Sequence, residues 1–116
     1  MAFELDLDTN GWTLESAEER HRAAPDSFEI PSLLERTTLG VGSAVKLLFL
    51  ILGHGEGGDY IQCERMWVTL VEVIDKHYVG TLESQPRTSD VLSPGDRITF
   101  GPEHVASTLI PEIDSF

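Results

Sequence analysis

A chain of 116 residues is sized for a single domain, and a hydrophobic fraction of 41% places it among globular folds rather than disordered chains. Its 8 basic and 20 acidic residues leave a net charge of −12, which argues against direct binding of nucleic acid, because no basic patch replaces phosphate counterions. The one cysteine, Cys63, excludes an internal disulfide and fits a reducing cytosol.

The first 36 residues carry nine carboxylates against Arg20, Arg22 and Arg36. The acidic start lacks the basic region of a secretory signal, so a cytoplasmic location is expected. Phe3, Leu5 and Leu7 alternate with Glu4, Asp6 and Asp8, as in a short edge strand or an extended arm. Asn10-Gly11 signals a turn. Thr13 is placed to cap a helix that begins at Leu14 and ends at Ala23–Ala24, before Pro25. Trp12 reads as an anchor for this segment. Phe28 to Pro31 is extended, since a residue before proline avoids the α region, and Ser32 to Arg36 suits one helical turn. Residues 1–38 are therefore expected to form an acidic arm or helical segment packed on a β-domain of residues 39–116.

Val45 to Leu52 is the one long apolar run. It is far short of the roughly 20 residues of a membrane helix, contains Lys46 and ends at Gly53. A strand buried on both faces is the expected form. Gly53 to Asp59 reads as a flexible loop. No Gly-Lys-[Ser/Thr] and no following helix mark it as a phosphate cradle. From Glu64 to Pro86 the pattern is that of paired strands: Met66, Val68 and Leu70 alternate with Trp67, Thr69 and Val71, then His77, Val79 and Thr81 with Tyr78, Gly80 and Leu82.

Leu39-Gly40-Val41-Gly42-Ser43 matches Leu92-Ser93-Pro94-Gly95-Asp96, and each precedes an alternating strand. Both predict a turn whose glycine takes φ > 0, with Pro94-Gly95 suited to the centre of a type II turn. The match is either an internal repeat or one entry turn used twice. Strands are expected at Val45–Leu52, Ile61–Ile74, His77–Leu82, Arg97–Phe100 and Val105–Ile110, with a short helical turn at Gly101–His104. Five short strands without long helices predict a mainly β fold, a small SH3-like or OB-like antiparallel barrel. Its core is expected to hold Val45, Leu47, Phe49, Met66, Val68, Leu70, Val79, Leu82, Ile98 and Phe100.

Several of these strings occur together in one order: Glu64-x-Met66-Trp67-Val68, Tyr78-Val79-Gly80-Thr81-Leu82 with Gln85-Pro86, Leu92-x-x-Gly95-Asp96-x-Ile98-x-Phe100, and His104-Val105. Over residues 39–106 the chain resembles a bacterial family of small proteins described only as a domain of unknown function, number 2314. The Asp-Trp expected after that family's last strand is replaced by Ser107-Thr108. The resemblance implies a cytoplasmic bacterial β-domain and brings no catalytic residues.

No catalytic motif is visible in the residues themselves. There is no G-x-S-x-G elbow, and the carboxylates of so acidic a chain carry no pairing information. His21, His54, His77 and His104 lack metal-ligand spacing, and Cys63 has no C-x-x-C partner, so no metal or cofactor is expected. Trp67 either packs beside Met66 or lies on the outer side of its strand. In the second case Arg65, Trp67 and Tyr78 are the expected binding residues, an aromatic and arginine composition typical of interaction hot spots. The expected function is a non-catalytic protein-interaction module whose acidic surface draws a basic partner, as in an immunity or inhibitor-type protein. The alternative is a small-molecule-binding domain or small enzyme using the barrel mouth near Gly53–Asp59. Oligomeric state is not legible in the sequence.

Overall fold

The computed structural model describes residues 11–87 and 91–109. The elements run β1 (Trp12–Leu14), α1 (Ala17–Ala23), α2 (Leu33–Thr37), β2 (Ala44–Gly55), β3 (Gly58–Ile74), β4 (His77–Leu82), β5 (Arg97–Phe100), a 3-10 turn at Pro102–His104, and β6 (Val105–Leu109).

All strands join one antiparallel sheet, curled into a half-barrel. The fold is mainly β, as the alternation predicts. β2 is its centre. One edge pairs with β3 from Ala44↔Thr69 to Gly55↔Gly58. The other edge is shared, with β6 along Ala44–Leu47 and β1 along Phe49–Ile51. β4 extends the sheet from β3, and β5 from β4. Curling follows from a bulge in β3, where the register shifts between Leu70 and Glu72 and Val71 is the extra residue.

Period-two alternation aims one face of each strand inward. Val45, Leu47, Phe49 and Ile51 of β2 meet Met66, Val68 and Leu70 of β3, Leu82 of β4, Ile98 and Phe100 of β5 and Val105 of β6. All ten expected core residues are buried, although Val79 lies outside this main cluster. Trp12 packs on the margin, its ring 5.6 Å from that of Phe49.

β2 is apolar on both faces for a reason confined to one residue. Leu48 points outward and is buried under Ala17 of α1 and Ala106 of β6, with Phe28 and Ile30 alongside. Lys46, Leu50 and Leu52 share that outer face and are only half-buried. The expectation of a strand buried on both faces therefore holds at Leu48 and not along the whole run.

The N-terminal segment differs from its expected form. Thr13 does not cap a helix; it lies in β1, opposite Leu50. The cap is Ser16, whose hydroxyl accepts the Glu19 N–H at 3.1 Å. The edge of β2 provides ladder partners for Trp12–Leu14, and that pairing outweighs one further helical turn. The expected strand or arm at Phe3–Leu7 lies outside the described residues.

Gly53–Asp59 is also corrected. Gly53 to Gly55 and Gly58 to Asp59 belong to the β2–β3 ladder, so only Glu56 and Gly57 turn the chain. The Tyr60 ring lies over Gly53, directly opposite, in space a side chain would fill. The segment is a tight hairpin tip, not a loop around a barrel mouth.

The matching turns adopt one geometry. Gly42 and Gly95 have φ of +99° and +97°. Ser43 N donates to Gly40 O and Asp96 N to Ser93 O, closing each turn. Gly42 N donates to Leu70 O, and Leu70 N to Ser43 O; Gly95 N donates to Leu82 O, and Leu82 N to Asp96 O. Each turn thus clamps the backbone of a core leucine, and the leucine that opens it, Leu39 or Leu92, is buried in the main cluster.

Candidate functional site

In β3, Glu64, Met66 and Val68 face inward and are buried. Arg65 and Trp67 consequently face outward, Arg65 exposed and Trp67 half-buried. The register sets Lys46 opposite Trp67 and Leu48 opposite Arg65. Lys46 Nζ lies 4.8 Å from the centre of the Trp67 ring. The Arg65 guanidinium lies 5.1 Å from the Phe28 ring, and Arg20 approaches the same ring at 5.2 Å. Lys46, Trp67, Arg65, Phe28 and Arg20 form a continuous cationic and aromatic stripe across the outer face. Arg65 and Lys46 have no carboxylate partner among the described residues.

The stripe borders a groove of about 580 Å³ lined by Glu15, Glu19, Arg20, Ala23, Phe28 and Arg65, among others. Arg20 Nη1 pairs with Glu15 Oε1 at 2.9 Å and lies 3.8 Å from Cys63 Sγ, which is exposed. His21 Nδ1 donates to Phe28 O at 2.6 Å and fixes the approach of Phe28 to the sheet.

Tyr78 does not join this face. It sits on the inner side of β4, 3% exposed, with its ring 5.4 Å from Phe100. Its hydroxyl donates to Arg36 O at 2.7 Å. Tyr78, Gly80 and Leu82 share the inward side of β4, so Tyr78 is a core residue rather than a neighbour of Trp67. Phe28, Arg20 and Lys46 are the members that sequence reasoning missed. Lys46 carried a signal, since a lone cation in an apolar strand belongs on the outer face.

Among the described residues, Arg36, Glu64 and His104 are also built into the structure. Arg36 is 6% exposed and holds α2 against α1 and the 3-10 turn: Nε donates to Pro31 O at 2.9 Å, and Nη1 to Glu18 Oε2 at 2.6 Å and Pro102 O at 3.0 Å. Glu64, also 6% exposed, accepts the Arg87 N–H on its two oxygens at 3.1 Å. His104 Nδ1 accepts the Gly101 N–H at 2.9 Å, which leaves the proton on Nε2.

Burial pushes the His104 imidazole below its ordinary value of 6.5, against the pull of the Glu103 and Glu18 carboxylates. The unfolded chain therefore binds the proton more readily, so stability is retained above pH 6.5 and declines as pH falls below it. His104→Asn keeps an acceptor for Gly101 and cannot be protonated. Thermal melts from pH 7.5 down to 5 should show the wild type losing stability relative to that variant. A constant difference between the two would contradict this assignment.

His54 Nδ1 and Asp59 Oδ1 pair at 2.7 Å across the exposed hairpin tip. No group of three or more His, Cys, Asp or Glu side chains among the described residues is arranged to hold a metal ion. No helix among them is long and apolar enough to cross a membrane. No protein-family model, curated protein or solved structure matches the chain.

Proposed function

We propose that the chain is a non-catalytic protein-interaction module whose docking surface is the outer face around Arg65 and Trp67. The observation that carries this reading is the aromatic and cationic stripe on the outer side of the sheet. In the motif Glu64-x-Met66-Trp67-Val68, burial accounts for Glu64, Met66 and Val68. It does not account for a tryptophan and an arginine side by side on the outside. Tryptophan and arginine dominate interface energetics because each combines a large contact area with directional polar groups.

The partner in this reading is a basic protein that meets the stripe itself with apolar or acidic groups, while its overall positive charge answers the acidic remainder of the chain. A net charge of −12 raises its local concentration and steers its approach. Glu15 and exposed Glu19 line the groove beside Arg65 and Arg20, at one end of the stripe. In this reading the chain is an immunity or inhibitor-type protein that neutralises a cationic target. The resemblance to the bacterial family of unknown function and a cytoplasmic setting belong to the same reading.

The test compares wild type with the Arg65→Ala/Trp67→Ala double variant. Both are used for affinity capture from host lysate at low and high salt, and the recovered partner is titrated against each. The expected result is a basic partner held about tenfold or more tightly by the wild type, with affinity falling as salt rises. A partner held equally by both chains, or none at low salt, overturns the proposal.

A further inference from the structure

A second concavity lies away from the stripe, where five segments converge. Thr37 ends α2 and Leu39 follows it; Val73 comes from the end of β3, Asp75 and Lys76 from the β3–β4 turn, Tyr78 from β4, and Pro102 and Glu103 from the 3-10 turn. They enclose a hollow of about 540 Å³, within the range of roughly 300–1,000 Å³ usual for small-molecule sites. Its floor is built into the core. Leu39 and Tyr78 are buried, and the Tyr78 hydroxyl is already committed to Arg36 O. Val73 lines the hollow, yet it is 47% exposed. The bulge at Val71 shifts the register just before it and sets Val73 opposite Tyr78, so the two side chains share one side of the sheet and both face this hollow.

The charged groups stand around this apolar surface. Asp75 holds a left-handed backbone, φ +53°, at the turn, a conformation that aspartate tolerates better than most residues. Neither Asp75 nor Lys76 makes an ion pair among the described residues. Glu103 folds its carboxylate over Gly101 and lies 3.9 Å from His104 Nε2. The lining thus carries two carboxylates to one ammonium, within a chain whose net charge of −12 concentrates cations at its surface.

We propose that this hollow is a binding site for a small organic amine. The apolar body of the ligand lies against Leu39, Val73, Tyr78 and Pro102, and its ammonium faces Asp75 and Glu103. The site shares no residue with the Arg65–Trp67 face and goes beyond the interaction reading, so either stands or falls without the other.

The probe is phenethylamine, titrated into the full chain and followed by amide NMR shifts. Phenylacetate serves as a probe of similar size and opposite charge. The expected result is saturable shifts at Thr37, Leu39, Val73, Asp75, Lys76, Tyr78 and Glu103, with phenylacetate binding more weakly. The Asp75→Asn/Glu103→Gln double variant should bind the amine about fivefold more weakly, the upper end for solvent-screened charges. Val73→Trp, at an exposed wall position, should fill the hollow and abolish the shifts while the rest of the spectrum is retained. Shifts that do not saturate or that map elsewhere overturn the proposal. So does phenylacetate binding as tightly as the amine, or undiminished binding in the charge variant.

Discussion

Replacing Arg36 with methionine is expected to lower folding stability by about 3–5 kcal/mol, the range for breaking a buried ion pair from one side. The guanidinium satisfies Glu18 Oε2, Pro31 O and Pro102 O together, and it is nearly sealed from water. Its removal strands two backbone carbonyls and one carboxylate in a setting where an unpaired polar group costs about 1–3 kcal/mol. Glu18 is the least affected, because its side chain is 35% exposed and water can replace the lost partner. The lower half of the range is therefore the better expectation. Arg36→Lys should recover only part of the loss, since an ammonium cannot span acceptors set around a planar fork. Urea unfolding measures both variants. A loss below about 1 kcal/mol in Arg36→Met would show that α2 and the 3-10 turn hold their places without it.

The second large effect is expected at Gly80, from space alone. A Cβ on this residue would lie 2.8 Å from Thr69 O and closer still to Val68 Cγ1. Neither neighbour can give way. Val68 is fully buried, and Thr69 is held in the β3–β4 ladder opposite Thr81. Gly80 pairs with Leu70, where the bulge begins and the two backbones close together. Gly80→Ala should therefore cost about 2–3 kcal/mol, the upper part of the range for an overpacked core. Gly40→Ala is the control, because nothing lies within 4 Å of its added carbon. That change should stay within about 0.5 kcal/mol of the wild type. Adding Val68→Ala to Gly80→Ala should relieve part of the clash, giving a double-mutant cycle whose terms do not add. Equal losses in Gly80→Ala and Gly40→Ala would contradict the close approach.

Both positions show what lies within reach of a sequence and what does not. Arg36 carried no mark separating it from Arg20 and Arg22, because its acceptors come from three segments that only the folded chain assembles. Gly80 stood in a strand pattern as an unexplained glycine, and the backbone it accommodates belongs to another strand. Tyr78 was assigned to the wrong side of the sheet by the same difficulty. Alternation divides a strand into two sets of residues, but it does not say which set faces inward when both contain apolar groups. Thr13 and Ser16 are both good helix caps, and the choice between them was made by the edge of β2.

What the sequence determined by itself was local. An apolar run marked β2 and alternation marked β3 to β5, to within a few residues at their ends, because both patterns depend on near neighbours along one strand. The glycines at 42 and 95 marked their turns, because a positive φ is a property of a single residue. The core followed from the same alternation, since an apolar side must leave water. The tertiary structure alone decided the rest: the bulge that curls β3, the cover of α1 over Leu48, the stacking of Lys46 on Trp67 and of Arg65 on Phe28, and the hollow behind Val73. Each of these depends on register or packing between segments far apart in the chain. Such pairings are set by the free energy of the whole assembly, and no short window of residues encodes them.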